Sequence, residues 1–358
     1  MASARWLLGL WVFGVACGTT QVFQVEPPPG GGPDGGSSEG GTAKKDVGDD
    51  DDVAGDDDDV VGDGGLEAAP AACDGPCPPE VLASSLHQAT ALGVDKQNVY
   101  FAIEGSATGN VFQCPKTGCV GDPIALGPGY AYGIASIGGN AIWGDYFTGK
   151  LWSCAIGGCN DDPTAIATNE AEIRGVWSDG SKVYWSSKLD GGSIRSCDPA
   201  NCTPVSVVKA IGTGVQILSV EAGTVAWISG GKARACAIAD CSAPTVLGAG
   251  VAGIVLQGSK AYWVTTAKTI VSCPIGGCNE TPLLIGSSSS PAALATDGNL
   301  LFWRDDLYET IYRCSAEGCG VSPAVWATKQ TGQPGGQLRL DGPFLYWTTT
   351  TRVMRQAK

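Results

Sequence analysis

The stretch GVWSDGSKVYWSSKLDGGSIRSCDPANCTPVSVV, residues 175–208, reads as four short β-strands. Val176-Trp177-Ser178 runs into the turn Asp179-Gly180, and Val183-Tyr184-Trp185 runs into a polar loop through Asp190-Gly191-Gly192. Ile194-Arg195-Ser196 ends at Cys197, four residues separate Cys197 from Cys202, and residues 205–208 supply the last strand. Short β-branched and aromatic runs bounded by turn formers are the strand signal, and nothing here keeps a helical period.

Versions of this unit tile the chain from about residue 90 onward. The second strand of each carries a bulky pair: Tyr100-Phe101, Ile142-Trp143, Tyr184-Trp185, Ala226-Trp227, Tyr262-Trp263, Phe302-Trp303 and Tyr346-Trp347. The second members lie 42, 42, 42, 36, 40 and 44 residues apart. A period near 40 with four strands per unit predicts an all-β, seven-bladed β-propeller. Neighbouring residues of a strand point to opposite faces, so two bulky neighbours need cover on both faces. A blade stacked between two others provides that cover, and the pairs are read as packing rather than as a stacking surface for a ligand.

Cysteines repeat with the blades in six pairs: Cys114 with Cys119, Cys154 with Cys159, Cys197 with Cys202, Cys236 with Cys241, Cys273 with Cys278, and Cys314 with Cys319. Each pair falls between the third and fourth strands, where a disulfide would staple a hairpin. No unit offers a histidine partner for zinc, and the chain has one histidine in all, His87. The seventh unit stops after three strands, with Gln356 where a cysteine is expected. A seventh pair, Cys73 with Cys77, stands at the other end of the domain, followed by Pro79-Glu80-Val81-Leu82-Ala83. Residues 79–84 are therefore expected to complete the last blade and close the ring.

Ahead of the propeller, residues 73–358, the chain is of another kind. Residues 1–17 resemble a bacterial secretory signal: Arg5, an apolar run too short to span a bilayer, then Ala16-Cys17. Fourteen of the fifteen cysteines pair off, and the odd one, Cys17, stands where a lipoprotein carries its lipid. Cleavage near Ala16 without lipid is the alternative, since Gly14 replaces the usual leucine. Residues 18–72, rich in Gly, Pro and Asp, read as a disordered tether with little to bury. Its acidic tracts lack the ligand spacing of a calcium loop. Of the formal charge of −14, all but −3 belongs to these first 72 residues, so the propeller shows no basic patch for nucleic acid. So many paired cysteines point to an oxidising compartment, the bacterial cell envelope or the exterior.

An Asp-Gly turn, then Tyr-Trp-Ser/Thr, then Ile/Val with Arg, resembles the YWTD propellers of lipoprotein receptors. Tyr184-Trp185-Ser186 with Ile194-Arg195, and Tyr346-Trp347-Thr348 with Val353 and Arg355, carry the likeness. Asp145 and Asp305 stand at the family's aspartate. That family has six blades and lacks the cysteine staples. The whole layout is similar to secreted, cysteine-rich bacterial lipoproteins. The resemblance implies a propeller with a tendency to bind proteins, not a reaction.

No phosphate loop, zinc helix or nucleophile elbow occurs, and a Ser-His-Asp triad would have to use His87. The chain is therefore read as a non-enzymatic, lipid-anchored, monomeric binding propeller without cofactor or metal, recognising a protein or glycan at the ring mouth. Candidate contacts are Tyr130, Tyr132, Asp145, Tyr146, Glu170, Arg174, Lys188, Asp190, Arg304, Asp305 and Arg339, which differ from blade to blade. The alternatives are a propeller-type lyase or calcium-dependent lactonase, and an envelope protein without ligand. The innermost strands show no carboxylate cluster for a channel metal, which favours binding.

Overall fold

The computed structural model describes residues 77–104, 109–188, 191–209, 215, 217–279, 281–330 and 337–358. All of them lie within one compact unit, Gly65–Lys358. The signal and tether with Cys17, Cys73 of the Cys73 and Cys77 pair, and Asp190 lie outside the described residues.

Among the described residues, twenty-eight strands form seven antiparallel four-stranded sheets, and six of these take their strands in chain order from the channel outward. The protein is a seven-bladed β-propeller. In the blade that spells out the repeat, the strands are Val176–Ser178, Val183–Ser187, Ser193–Cys197 and Val205–Val208. A 3₁₀ turn, Pro199–Asn201, capped by the Asp198 side chain, sits inside the staple loop.

The seventh blade is composite. Its inner strands are Leu338–Asp341, Phe344–Thr348 and Val353–Ala357, and its outermost strand is Glu80–Ala83. Glu80 pairs with Arg355 and Val81 with Met354. Arg355 adds an ion pair to Glu80 at 2.9 Å. Gln356, standing at the cysteine position, donates to the Cys77 carbonyl at 2.6 Å, so a hydrogen bond holds this corner. Buried Lys116 of blade one pairs with Asp341 of blade seven across the closure.

The core is divided like the ring. Seven clusters of buried residues each join two consecutive blades, and one of them joins Phe344 and Tyr346 of blade seven to Leu92 and Phe101 of blade one. Both members of every bulky pair are buried. Four of the tryptophans also pin the preceding blade: Trp143 Nε1 donates to Pro128 O, Trp263 to Ala249 O, Trp303 to Ser288 Oγ and Trp347 to Gln330 Oε1. The approach demands glycine beside Trp143: Gly129 has φ +150°, and a Cβ there would stand 2.7 Å from the indole nitrogen.

Six disulfides form as the spacing predicts: Cys114 to Cys119, Cys154 to Cys159, Cys197 to Cys202, Cys236 to Cys241, Cys273 to Cys278, and Cys314 to Cys319. Their Cα atoms lie 5.0–5.7 Å apart, within the range a disulfide can bridge, and Cys77 is disulfide-bonded as well. Their placement corrects the sequence expectation in one respect. The first cysteine of each pair stands on the third strand rather than beyond it, as Cys154 does in Lys150–Ala155 and Cys273 in Thr269–Pro274. The second cysteine, as Cys159 and Cys278 show, lies in the loop before the fourth strand. Cys241 is the exception. It belongs to the fourth strand of its blade, Asp240–Ala249, because Ala237 pairs with Asp240 across a two-residue turn, Ile238-Ala239.

The staples do more than close hairpins. Cys114, Cys154, Cys197, Cys273 and Cys314 are buried in the clusters shared with the preceding blade. Cys159 and Cys278 pack on the same clusters, with Sγ atoms 3.1 Å from Leu126 O and 3.8 Å from Leu247 O of that blade. The Cys119 and Cys319 amides donate to Leu82 O and Ile285 O, also of the preceding blade, each at 2.9 Å.

Antiparallel order sorts the loops onto two ends. One, the staple end, carries the disulfide hairpins and the turns after each innermost strand. The other, the mouth, carries the links between blades and the turns after each aromatic strand.

Candidate functional site

At the mouth, the link between blades one and two presents Tyr130 and Tyr132, and the turn after Asn140–Asp145 presents Tyr146 and Phe147. The Tyr146 amide donates to Tyr130 O at 3.1 Å, which locks link and turn together. The four rings then pack edge to face, with centroids 5.1–5.6 Å apart and interplanar angles of 64–86°. This is the arrangement that opposed ring quadrupoles favour. Phe147 is 67 % exposed.

Arg174, in the link into blade three, extends the cluster. Its guanidinium lies 5.0 Å from the Tyr146 ring centroid and 5.7 Å from that of Tyr132, and it donates to Tyr146 Oη at 3.3 Å. Lys188 pairs with Glu172 at 2.5 Å beside it. The bond from Lys188 lowers the Glu172 carboxyl below its ordinary range, assisted by Tyr146 and Arg174, and the same bond raises the ammonium of Lys188. Burial, then hydrogen bonds to Glu104 and Tyr132, push the Tyr130 hydroxyl up, so it stays neutral.

Tyr130, Tyr132, Tyr146, Arg174 and Lys188 thus come together over blades one to three. Glu170 lies beneath them, buried, with one oxygen 3.1 Å from Arg195 Nε. That contact is an ion pair without hydrogen-bond alignment, since the Arg195 N–H does not point at the carboxylate. Asp145 and Asp305 turn inward. Asp145 accepts from Phe147 N, Thr148 N and Thr148 Oγ1, which shapes the turn that carries Tyr146 and Phe147. Asp305 accepts from Ser290, Leu307 and Tyr308 amides at 2.8–3.0 Å; burial opposes its ionisation, but these bonds hold its carboxyl low. Arg304 is buried and forks onto Asp306 at 2.7 Å in the same turn. His87, exposed in its link, has Nδ1 3.0 Å from Glu104 O.

Arg339 stands apart, inside the channel. From the innermost strand of blade seven its guanidinium crosses to blade three and stacks on Trp177, 4.6 Å from the ring centroid. Gln337 spans a second chord. Its Oε1 accepts from Leu92 N at 3.3 Å and from Arg339 Nη2 at 2.8 Å, while its Nε2 donates to Tyr132 O at 2.5 Å. Burial pushes the Arg339 guanidinium down to about 10, which leaves it charged at neutral pH. The sequence reading missed Phe147, Trp177 and Glu221. Phe147 was signalled by its place beside Tyr146; Trp177 and Glu221 belong to the channel wall, and only the register of their strands shows it.

No protein-family model matches the chain, and none of the curated proteins matches it. Solved structures resemble it. BamB from Moraxella catarrhalis, 13 % identical, superposes with a TM-score of 0.53 over 75 % of this chain and 83 % of that one. A chain of a nidogen/laminin complex is 14 % identical, with a TM-score of 0.41 over 63 % and 75 %. The computationally designed Ika8 protein is 12 % identical, with a TM-score of 0.49 over 78 % and 98 %. The likeness to BamB, at 13 % identity, is one of fold alone.

Proposed function

We propose that this is a non-enzymatic binding propeller of an oxidising, extracytoplasmic compartment, and that the mouth cluster docks a protein segment. The observation that carries the reading is Phe147, exposed at the edge of three interlocked tyrosines with Arg174 beside them. Aromatic residues and Arg dominate protein-binding hot spots, and the Lys188–Glu172 pair supplies a charged rim. The staples support export. Residues 1–72 fit a signal and tether, with Cys17 as lipid anchor; mass spectrometry of the mature N-terminus decides between a lipidated and a removed Cys17. The YWTD likeness is consistent with the Asp-Gly turns, where Tyr184 Oη donates to Asp179 at 2.7 Å.

The test is photo-cross-linking in intact cells from position 147, with position 120 on the staple end as control. A protein captured only from position 147, and lost in Arg174→Glu, is the expected result. Capture of glycan, equal capture from both positions, or no capture overturns the reading, as does turnover on an ester, lactone or sugar-acid panel that is lost in His87→Ala.

A further inference from the structure

Below the crossing of Arg339 and Trp177, toward the staple end, the channel holds a cavity of about 210 Å³. The innermost strands of blades three to seven wall it, at positions that are mostly Val, Leu and Ala. Two opposite charges face it. Arg339 uses one N–H on Gln337 Oε1 and one on Leu338 O, which leaves three of its five donors. Its face is covered by the Trp177 indole, so the edge of the plane is what remains for a partner. That edge is the side on which a guanidinium takes a carboxylate. No carboxylate of the described residues forms an ion pair with it.

Glu221 ends the innermost strand of blade four, three blades away from blade seven around the ring. Its Oε2 is buried and has no hydrogen-bond partner among the described residues. Glu221 itself lines the cavity and is partly buried, and a cationic donor there offsets the cost of keeping its carboxylate charged. Of the other polar walls, Gln257 also faces the cavity, and two are committed. Ser219 Oγ accepts from Leu256 N, and Thr296 Oγ1 donates to Leu300 O and accepts from Gly298 N within its own turn.

We propose that this cavity binds a small zwitterion, with its carboxylate on the edge of Arg339 and its ammonium on Glu221. The apolar walls would cover a short aliphatic stretch between the two charges. The volume lies below the roughly 300 Å³ at which pockets for drug-sized ligands begin, so the ligand is of amino-acid size. The site is independent of the mouth, from which the Arg339–Trp177 and Gln337–Tyr132 crossings separate it.

The test is calorimetry on the whole chain with amino acids of rising length, from glycine to 6-aminohexanoate. Hexanoate and hexylamine serve as single-charge controls. The expected result is binding by one or more of the zwitterions, at least roughly tenfold tighter than either control. Glu221→Gln keeps size and shape, and it should weaken the zwitterion by about tenfold while leaving hexanoate unchanged. Arg339→Lys, which keeps the charge but loses the fork, should weaken both acids. Arg174→Glu at the mouth should change neither. Equal binding of hexanoate and the zwitterions, binding that survives Glu221→Gln, or no binding by any member at about 1 mM overturns the proposal.

Discussion

At the staple end, blade after blade is built from the same parts. A turn joins the first two strands, often with an aspartate that gathers the next amides, as Asp95, Asp179 and Asp297 do. A disulfide closes the outer hairpin, and its cysteines pack on the blade before. At the mouth the side chains change even where the turn is shared: Asp145 and Asp305 gather amides alike, but one turn carries Tyr146 and Phe147, the other has Arg304 forked onto Asp306, and a third has Thr265 bonded to Thr269. Repetition marks what every blade needs in order to stack. The places where repetition stops are free of that demand, and recognition can be built there.

The hardest blow to this contrast is at the closure. Removing residues 73–83 takes away the outer strand of blade seven together with buried Leu82 and Ala83. The loss should exceed the roughly 2–5 kcal/mol of a single core Leu→Ala change, and calorimetry should show a broad transition or aggregation. An unchanged melting temperature would mean that the ring stands without its clasp. Next comes Trp303→Ala, which empties a fully buried site shared by blades five and six and should cost about 3–5 kcal/mol. Phe147→Ala, of similar chemistry at the mouth, should stay within about 0.5 kcal/mol while weakening binding of the protein captured there. Equal stability losses at the two positions would erase the distinction between scaffold and mouth.

Removing one staple, by Cys236→Ser together with Cys241→Ser, should cost about 2 kcal/mol, since the closed loop is short. Denaturant titration with and without reductant reads it. The smallest effect is a matter of pH. Burial works against the Asp179 carboxylate, but bonds from Tyr184, Lys182 N and Ser181 outweigh it and bring its pKa to about 2. A pKa depressed by folding stabilises above the unfolded value near 4, and that contribution fades as pH falls from about 4 to 2. Asp179→Asn should lower stability at neutral pH, where the bonded carboxylate contributes, and flatten the acid limb in that window, while leaving stability below about pH 2 little changed.

Blade number, the composite seventh blade and six of the staples could be read from the chain, because each depends on spacing within one repeat. Tyr130, Tyr132, Tyr146 and Arg174 could be placed on one face for the same reason. What could not be read was which of them touch, and which positions of the innermost strands point at the axis. The reach of Arg339 to Trp177 depends on the ring's diameter, which no single repeat encodes. Asp145 and Asp305 look like ligand groups in the chain, and the fold shows their oxygens engaged by turn amides. Glu221 shares its strand with Ser219, alternating inward across a register that only the assembled sheet fixes.

The pairing of Glu80 with Arg355 sets an order of events. The outer strand of blade seven is made first and can be docked only when the last residues of the domain arrive. Until then Leu82 has no neighbours to cover it, and the Phe344–Thr348 strand reaches its partner in blade one only once the circle is drawn shut. Assembly of this ring is therefore governed by its longest sequence separation, the slow regime for folding.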